Sequence, residues 1–439
     1  MISKTKKLLA ERIQKNRRRI LEWQQAQAQK APPPFYCSID LRDSGYKIAP
    51  VDSNLYPAGF NNICPEDLRA SPAIIKKQIE LLSAQSLNPH PKKILILPES
   101  HTQNTYYLEN LFYLKQLIEN ADYEVRIGWY GPLPEGMHSP LQLKTQTEKL
   151  VEAYAIEIKG GVASAGDFVP DLIILNNDFS GGYPEPLDQV AQPILPSHSL
   201  GWHSRKKSEH FVYYNQLAQE FANILEIDPW ILQIDTEEVA PVNFNEEQGT
   251  ELVAESVTRV LSRTQKAYDI HKVTRKPFAF VKNNSGTYGM GIMVVHSADE
   301  LKKMNRRTKN KMSVGKSSHP IDSVVVQEGV PTATLIDRLA AEPVIYLVGG
   351  ELIGGFLRTN TEKGDEENLN SQGMVFRKLC MSDLRNHDED FSDENVNLKE
   401  EPVLELVYGA IAQISALASG MELQAHRRVI PKPVQQPVS

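Results

Sequence analysis

The sequence lacks any apolar run near the 18 to 20 residues that cross a bilayer, and its longest stretches, PVIYLV and KILILP, are strand-sized. Its start has charges scattered through it where a secretion signal carries an uninterrupted apolar region. The three cysteines, Cys37, Cys64 and Cys380, are far apart and form no CxxC pair. We therefore expect a cytoplasmic protein in a reducing compartment, with no membrane span, no disulfide framework and no structural zinc site.

What the chain does have is enough apolar sequence for a large core: 41% of its 439 residues are hydrophobic and 23% are charged. The formal net charge is -7, yet residues 1–30 carry nine Lys or Arg against two Glu, a local charge of +7. This segment reads as an amphipathic helix that docks by one face and is dispensable for chemistry. Because the rest of the chain is acidic and would repel phosphate backbones, we expect no nucleic-acid or membrane partner.

Alternating strand and helix patterns follow the proline-rich linker KAPPPF. FYCSIDLR, KKILILP, YEVRIGWY and DLIILNND read as strands, whereas SPAIIKKQIELLSAQ, NTYYLENLFYLKQLIEN and LQLKTQTEKLVEAYA read as helices. Strands that alternate with helices indicate βαβ units and a mainly parallel sheet. Two further helices, within residues 208–226 and 246–268, complete this region.

The segments that leave the predicted strands are unusually polar. Parallel sheets bind ligands beyond the carboxyl ends of their strands, so these segments predict a cleft for a small zwitterionic or carboxylate ligand. Turn and capping chemistry would explain each loop taken alone. The candidate substrate residues are Arg42, Asn54, Asn61, Asn62, Asn177 and Arg205, with Arg42 or Arg205 as a bidentate carboxylate clamp.

A strand that ends in Lys282 leads directly into the glycine-rich segment NNSGTYGMG and then into another strand. Glycines let backbone amides approach phosphate oxygens closely, and a lysine at the strand end supplies a positive charge for them. An ordinary β-hairpin turn would have a similar sequence. Further along, a hairpin ends near Arg358, and the acidic loop EKGDEENLNSQGM after it offers oxygen ligands of the kind Mg²⁺ prefers.

The order of these parts resembles the nucleotide site of ATP-grasp enzymes. The stretches IDLRDSGYKIAPVDSNLYPAGFNN, LPESHTQNTYY, ILNNDFSGGYPEPL, GWHSRKKSEHF, VKNNSGTYGMGIMVV and ENLNSQGM also resemble, in this order, the glutamate-cysteine ligase family that has an ATP-grasp-like nucleotide region. The better-known glutamate-cysteine ligases with a glutamine-synthetase-like fold are a different family.

The resemblance implies an α/β fold, with a parallel-sheet α/β domain followed by an ATP-grasp-like α+β nucleotide-binding region. The expected boundaries are 1–33 for the basic helix and linker, 34–270 for the amino-acid domain, 271–425 for the nucleotide region and 426–439 for a flexible tail. The implied reaction is ATP-dependent formation of γ-glutamylcysteine from L-glutamate and L-cysteine, the first step of glutathione biosynthesis. Another carboxylate-amine ligase and a non-catalytic regulator stay open as alternatives, as does a homo-oligomer.

The residues support distinct roles in such a reaction. Lys282 would hold the α- and β-phosphates of ATP, and Arg358 would neutralise the transferring phosphoryl group. The remaining roles fall to Gly286, Thr287 and Gly289 over the phosphates, to Gln327, Glu328, Gly329 and Val330 along the adenosine, and to Glu367, Asn368 and Asn370 for Mg²⁺. Glu394 and Asn397 are competing metal candidates.

Overall fold

The computed structural model describes residues 3–84, 90–100, 104–286, 291–314, 321–380 and 400–429, with side chains in the last range described for 406–426. The strands are β1 (Tyr36–Asp43), β2 (Ile48–Asn54), β3 (Lys93–Pro98), β4 (Glu124–Trp129), β5 (Leu141–Lys144), β6 (Leu150–Lys159), β7 (Val162–Ala165), β8 (Leu172–Asn176), β9 (Ile194–Leu195), β10 (Thr236–Val239), β11 (Ala279–Asn283), β12 (Ile292–Val295), β13 (Val324–Glu328), β14 (Leu335–Ile336), β15 (Leu339–Val348), β16 (Glu351–Asn360) and β17 (Met374–Leu379). The helices are α1 (Lys4–Lys15), α2 (Arg17–Lys30), α3 (Pro65–Ala70), α4 (Pro72–Ser83), α5 (Thr105–Glu119), α6 (Lys207–Leu225), α7 (Glu247–His271), α8 (Ala298–Lys302), α9 (Arg306–Ser313) and α10 (Glu400–Val429).

The parallel sheet has the strand order β5-β6-β4-β3-β8-β9, with β7 paired to β6. Neighbours β6, β4, β3, β8 and β9 run parallel, whereas β5 and β7 are antiparallel to β6. The interior strands β3 and β8 are buried along almost their whole length, as continuous apolar runs in a covered parallel sheet should be. The predicted α/β class with a parallel sheet is confirmed.

One predicted helix in this region is wrong. Residues 141–155 form β5, a turn and the first part of β6 instead. The side chains of β5 alternate between buried and exposed, and Leu141, Leu143, Val151 and Ala153 are all buried. This period of two belongs to a strand pair, and Glu148 adopts a left-handed conformation (φ 62°) in the turn that reverses the chain.

The second sheet is antiparallel and has the order β17-β16-β15-β1-β2, with β14 paired to β15. In it, β1 lies between β15 and β2, so that Asp40 is opposite both Val344 and Asp52. The first predicted strand therefore does not belong to the parallel sheet. It pairs with β2, which follows it directly, and with β15, about 300 residues later in the chain. The four segments expected from the sequence, 1–33, 34–270, 271–425 and 426–439, stay predictions.

The third sheet has the order β10-β13-β11-β12, and α7 packs against it. Strands β11 and β12 form an antiparallel hairpin in which Lys282 is opposite Ile292. This confirms the strands predicted on either side of the glycine-rich segment. The third sheet thus presents Lys282 and the start of the glycine-rich segment toward β1 and β2 of the second sheet.

The basic N-terminal segment forms two helices, α1 and α2, which meet at Asn16. The predicted docking is confirmed, because Leu9, Ile13 and Ile20 are buried in the main hydrophobic core. Lys6 Nζ also lies 2.8 Å from a carboxylate oxygen of Asp43 at the end of β1. These helices therefore pack on α10 and α6, and the salt bridge joins α1 to the end of the strand that carries Arg42.

Helix α10 packs against α1, α6 and the second sheet. Its segment Leu406–His426 is the one described stretch that is long and apolar enough to cross a membrane, and most of it is buried inside the protein. Such burial is typical of a core helix.

The cysteines differ from the prediction. Cys64, at the start of α3, and Cys380, just after β17, form a disulfide across a sequence separation of 316 residues, and Cys37 is a buried free thiol. The expectation of no disulfide is therefore wrong for one pair. Sequence spacing gives no sign of this pair, because it forms only when α3 packs beside β16 and β17.

Candidate functional site

A cavity that opens to solvent lies between the second and third sheets. Five of the predicted site residues line it. Three carboxylates that are not among the predicted site residues, Asp40, Asp52 and Glu342, also line it. The polar and charged lining residues are Asp40, Arg42, Asp52, Lys282, Glu342, Arg358, Asn368 and Asn370. The structure thus brings together Lys282, which is predicted to bind phosphates, Arg358, which is predicted to neutralise the phosphoryl group, and part of the predicted metal-binding set.

Lys282 is presented to the cavity by β11, and only 5% of the residue is exposed. Its ammonium donates to the carbonyl of Val51 (2.9 Å) and to Oε1 of Gln327 (2.6 Å). Burial lowers the pKa of Lys282 to about 8, and Lys207 and Arg42 add to this effect, whereas Asp52 opposes it. An anion in the cavity would supply the negative charge that this buried ammonium needs.

Arg358 lies opposite Glu342 in the β15–β16 ladder. Its Nη1 donates to Asp40 (2.7 Å) and to Glu342 (2.8 Å). The Nε of Arg358 is buried and has no hydrogen-bond partner among the described residues, and the same holds for Nε2 of Gln327. Unsatisfied buried donors are costly, so both groups mark places where an acceptor on a ligand would be stabilising.

The three carboxylates of the cavity differ in their partners. Glu342 lies between Arg42 and Arg358; burial would raise its pKa, but the two guanidinium groups lower it. Burial raises the pKa of Asp40, and the neighbouring Glu342 adds to this effect although Arg358 opposes it. Asp52 is held by Lys207 at 2.6 Å, and despite its partial burial Lys207 and Lys282 lower its pKa.

Lys207 is a residue that sequence reasoning missed. It begins α6, its side chain is almost fully buried, and its ammonium lies 4.2 Å from the centre of the Trp202 ring. Its backbone amide donates to the carbonyl of Asn284 in the glycine-rich segment (2.9 Å). The tripeptide Arg205-Lys206-Lys207 gives no signal of which lysine is buried, because that depends on where α6 begins.

Arg42 does not present a free guanidinium. Its Nε donates to Glu342 (3.0 Å), and its Nη1 donates to the carbonyls of Val330 (3.4 Å) and Asp365 (3.1 Å). Its Nη2 donates to the carbonyl of Glu367. The donors of Arg42 thus hold the loop after β16 against β1, and a substrate carboxylate would have to displace these partners; the clamp role stays a prediction.

The predicted metal set is only partly at the cavity. Asn368 and Asn370 line it. The carboxylate of Glu367 instead accepts from Lys363 (2.9 Å) and from the backbone amide of Gly364 (2.8 Å). The side chain of Glu367 therefore bonds within its own loop and does not line the cavity with Asn368 and Asn370. Glu394 and Asn397 lie outside the described residues.

The segment predicted along the adenosine begins on β13. Glu328 forms a buried ion pair with Lys47, so its carboxylate is already engaged where the sequence predicts contact with ribose. Gly329 lies against Phe278, where a Cβ would come within 2.3 Å of the ring, and this explains why the position needs glycine. Val330 contributes its carbonyl to Arg42.

Of the predicted glycine-loop residues, Gly286 is described and Thr287 and Gly289 lie outside the described residues. A Cβ on Gly286 would lie 2.6 Å from Nδ2 of Asn283. The backbone therefore turns tightly after β11, and only glycine fits there without a shift of Asn283.

The predicted substrate residues of the first region are mostly engaged in local structure. Asn177 donates to the carbonyl of Pro98 (3.2 Å) and accepts from the amide of Phe179 (2.9 Å). Asn54 accepts from the amide of Tyr56 (2.9 Å), and Asn61 donates to Asn62 (3.2 Å). These contacts favour turn chemistry over ligand binding for the asparagines.

Arg205 is also fully engaged. Its guanidinium forms a bidentate pair with Glu422 on α10, at 2.7 and 3.0 Å, and donates to the carbonyl of Ser53 at 2.6 Å. A substrate carboxylate cannot take this fork while Glu422 holds it. The predicted clamp role of Arg205 therefore finds no free donor edge here and stays a prediction.

Comparison with known proteins identifies what the chain is similar to. The sequence model of the glutamate-cysteine ligase family matches residues 10–423. Among solved structures, a candidate gamma-glutamylcysteine synthetase from Methylobacillus flagellatus KT is 34% identical, with 95% of this chain and 96% of that chain covered and a TM-score of 0.83. A glutathione synthetase-like effector from Globodera pallida is 13% identical, with 85% of this chain and 84% of that chain covered and a TM-score of 0.38. No curated protein matches the sequence.

Proposed function

The chain belongs to the glutamate-cysteine ligase family, which is ATP-dependent, and we propose that the cavity between the second and third sheets is where its reaction takes place. The observation that supports this best is the convergence of Lys282, Arg358 and three carboxylates on one cavity. The resemblance inferred from the sequence is confirmed, and the chain joins L-glutamate to L-cysteine. Its small-molecule substrates are these two amino acids and ATP.

We propose that the phosphates of ATP lie against Lys282 and Lys207. Both ammonium groups are buried, both lie near Asp52, and Lys207 is also bonded through its backbone to the glycine-rich segment. Two buried cations beside backbone amides fit a polyphosphate chain. Arg358 faces the same cavity, and its unpartnered Nε fits an oxygen of the transferring phosphoryl group.

The oxygen atoms around the cavity fit Mg²⁺, and for this ion we replace the set inferred from the sequence. We propose Asp40 and Asp52 as ligands, with Asn368 and Asn370 beside them, because these side chains line the cavity and Glu367 does not. Bound there, the ion would neutralise charge on the phosphates. Replacing Asp52 by Asn should then raise the Mg²⁺ concentration needed for half-maximal activity, which a titration at fixed ATP would measure.

The chemistry we propose has two steps. An oxygen of the γ-carboxylate of glutamate attacks the γ-phosphorus of ATP, and the bond to ADP breaks to leave a γ-glutamyl phosphate. The unprotonated amine of cysteine then attacks the acyl carbon, inorganic phosphate leaves, and the amine gives up one proton. The protein contributes mainly position and charge neutralisation, from Lys282 and Arg358 in particular.

Phosphate release with different amino-acid pairs tests this function. Glutamate with cysteine should give the fastest release of phosphate from ATP. We expect 2-aminobutyrate to replace cysteine, because the proposed steps use its amine and not sulfur, and glutamine to fail, because it has no γ-carboxylate. ADP formation with glutamine would contradict the acyl-phosphate route, and a clear preference for another amino-acid pair would favour a different carboxylate-amine ligase. Cytoplasmic location and homo-oligomerisation stay predictions.

A further inference from the structure

Arg205 connects three parts of the molecule that surround the proposed site. Only 2% of the residue is exposed, and it lies in the segment just before α6. The proposed ATP and metal site lies between two walls that must keep a fixed separation. One wall is the glycine-rich segment after β11, and the other is the end of β2, which carries Asp52. Arg205 and its neighbours contact both walls.

The first connection runs to α10. Glu422 accepts two hydrogen bonds from Arg205 and one from His210, whose Nδ1 lies 2.5 Å from Oε1. Burial opposes ionisation of Glu422, but Arg205 and His210 lower its pKa to about 2. Because the paired edge of a guanidinium fits a carboxylate in one orientation, this pair fixes the plane of Arg205 on a core helix.

The second connection runs to β2. Arg205 donates from Nη1 to the carbonyl of Ser53 at 2.6 Å and from Nη2 to the Ser53 hydroxyl at 3.3 Å. Ser53 directly follows Asp52, and its hydroxyl also lies 3.2 Å from that of Ser419 on α10. The strand end that carries Asp52 is thus held by the guanidinium through the neighbouring residue.

The third connection runs to the glycine-rich segment. The hydroxyl of Ser285 donates to the carbonyl of Arg205 at 2.8 Å. Two residues further, the amides of Lys207 and Ser208 donate to the carbonyl and side-chain oxygen of Asn284, each at 2.9 Å. The start of this segment is therefore bonded to the same short stretch that holds β2.

We infer that Arg205 is a positioning residue, which sets the distance between the glycine-rich segment and Asp52 and so places the phosphates of ATP relative to the metal carboxylates. The inference rests on the proposed location of the ATP site. It assigns Arg205 no contact with an amino-acid substrate, since both edges of the guanidinium have protein partners. The effect of its loss should therefore fall on ATP and Mg²⁺.

Steady-state kinetics of Arg205→Lys and Glu422→Gln test this inference. We expect the KM for ATP and the Mg²⁺ requirement to rise about tenfold in Arg205→Lys, because lysine keeps the charge but loses the paired geometry. Glu422→Gln should act in the same direction. The KM values for glutamate and cysteine should stay within about twofold of the unsubstituted protein, since neither substrate touches the guanidinium.

Two further variants keep the result decisive. Ser285→Ala removes only the bond between the glycine-rich segment and Arg205, so it should raise the KM for ATP even if Arg205→Lys fails to fold. Arg263→Lys is the matched control, because Arg263 forms a similar bidentate pair with Asp235 on the outer surface of α7, at 2.7 and 3.1 Å. It should leave the KM values for ATP, glutamate and cysteine unchanged.

Three results would overturn the inference. A rise in the KM for one amino acid with no change for ATP would make Arg205 a substrate clamp. Lower melting temperatures with unchanged KM values in Arg205→Lys and Glu422→Gln would make the pair merely structural, and so would an unaltered Ser285→Ala. Calorimetric measurement of ATP binding to Lys282→Ala tests the proposed ATP site separately from the role of Arg205. Unchanged ATP affinity in that variant would mean that ATP binds elsewhere and that the proposed site is wrong.

Discussion

The two regions that the sequence marks as polar behave differently. At the carboxyl ends of the parallel sheet, Asn177 satisfies its own turn, and the polar atoms that suggested a ligand are used within the loop. Between the second and third sheets, charged side chains from distant strands face one another across a cavity, and Arg358 and Gln327 keep buried donors without a partner in the described residues.

This difference concerns how polar groups are satisfied. A polar side chain that bonds to its neighbours in sequence needs no ligand, whereas opposite charges brought together by distant strands are costly to bury and are arranged for something that completes them. Cations and carboxylates lie close together in the cavity. Phosphate groups would pair with the cations and a metal ion with the carboxylates, so a ligand that has both would satisfy both kinds of group. We therefore expect substitutions in the two regions to affect different measurements.

Removal of residues 2–30 should have the largest effect. Leu9, Ile13 and Ile20 are buried, and burial of three such side chains stabilises a protein by about 5 kcal/mol. The salt bridge from Lys6 to Asp43, next to Arg42, would also be lost. We expect the truncated protein to unfold at a much lower denaturant concentration and to lose activity. This expectation replaces the prediction from sequence that the segment is dispensable for chemistry. A truncated protein with normal stability and turnover would support the prediction from sequence instead.

Lys282→Ala should come next. A charge-assisted contact contributes about 1.5 to 3 kcal/mol, so ATP affinity should fall by roughly 10- to 150-fold. The change removes a buried charge, so the melting temperature should not fall in proportion. Calorimetric titration with ATP measures the affinity, and the neighbouring Lys206→Ala, which removes a half-exposed lysine paired with Glu238 at 3.0 Å, is the control. Equal losses in both variants would argue against a phosphate contact specific to Lys282.

The effect of pH on ATP binding should be smaller than the effect of Lys282→Ala. The pKa of Lys282 is lowered to about 8 from an ordinary value of 10.5, chiefly by burial, so in the free protein the ammonium is lost above about pH 8. ATP affinity should fall up to about tenfold per pH unit above that value. The effect on folding has the opposite sign: the unfolded chain binds this proton more tightly, so the contribution of Lys282 to stability increases between pH 8 and 10.5.

Measurement of kcat/KM for ATP between about pH 7 and 9.5 would reveal the loss of the Lys282 proton, since this constant reports the ionisation of the free enzyme. Lys282→Arg should remove the alkaline fall, because a guanidinium stays charged throughout this range. The same alkaline fall in Lys282→Arg would assign it to another group.

Much of the fold and part of the site could be predicted from the sequence. Periodicity identified most elements. Lys282, Arg358, Asn368 and Asn370, which local motifs single out, lie at one cavity, and their roles there stay predictions. Asp40 and Glu342 could not be identified, because their role depends on β1 pairing with β15, across about 300 residues of sequence. The pairing of Arg205 could not be predicted for the same reason, because its partner Glu422 lies 217 residues further along the chain.

Asn177→Ala should have the smallest effect and gives the sharpest contrast with the cavity. The change removes the bond to Pro98 and the acceptor for the amide of Phe179, so we expect a loss of about 1 kcal/mol in the free energy of unfolding. Because both contacts lie within the loops at the sheet edge, the KM values for ATP, glutamate and cysteine should change by less than about twofold. Urea unfolding and kinetics on the same preparation measure both quantities. A large rise in the KM for either amino acid at unchanged stability would show that Asn177 leaves its turn to bind a substrate, and the two regions would then differ less than their contacts indicate.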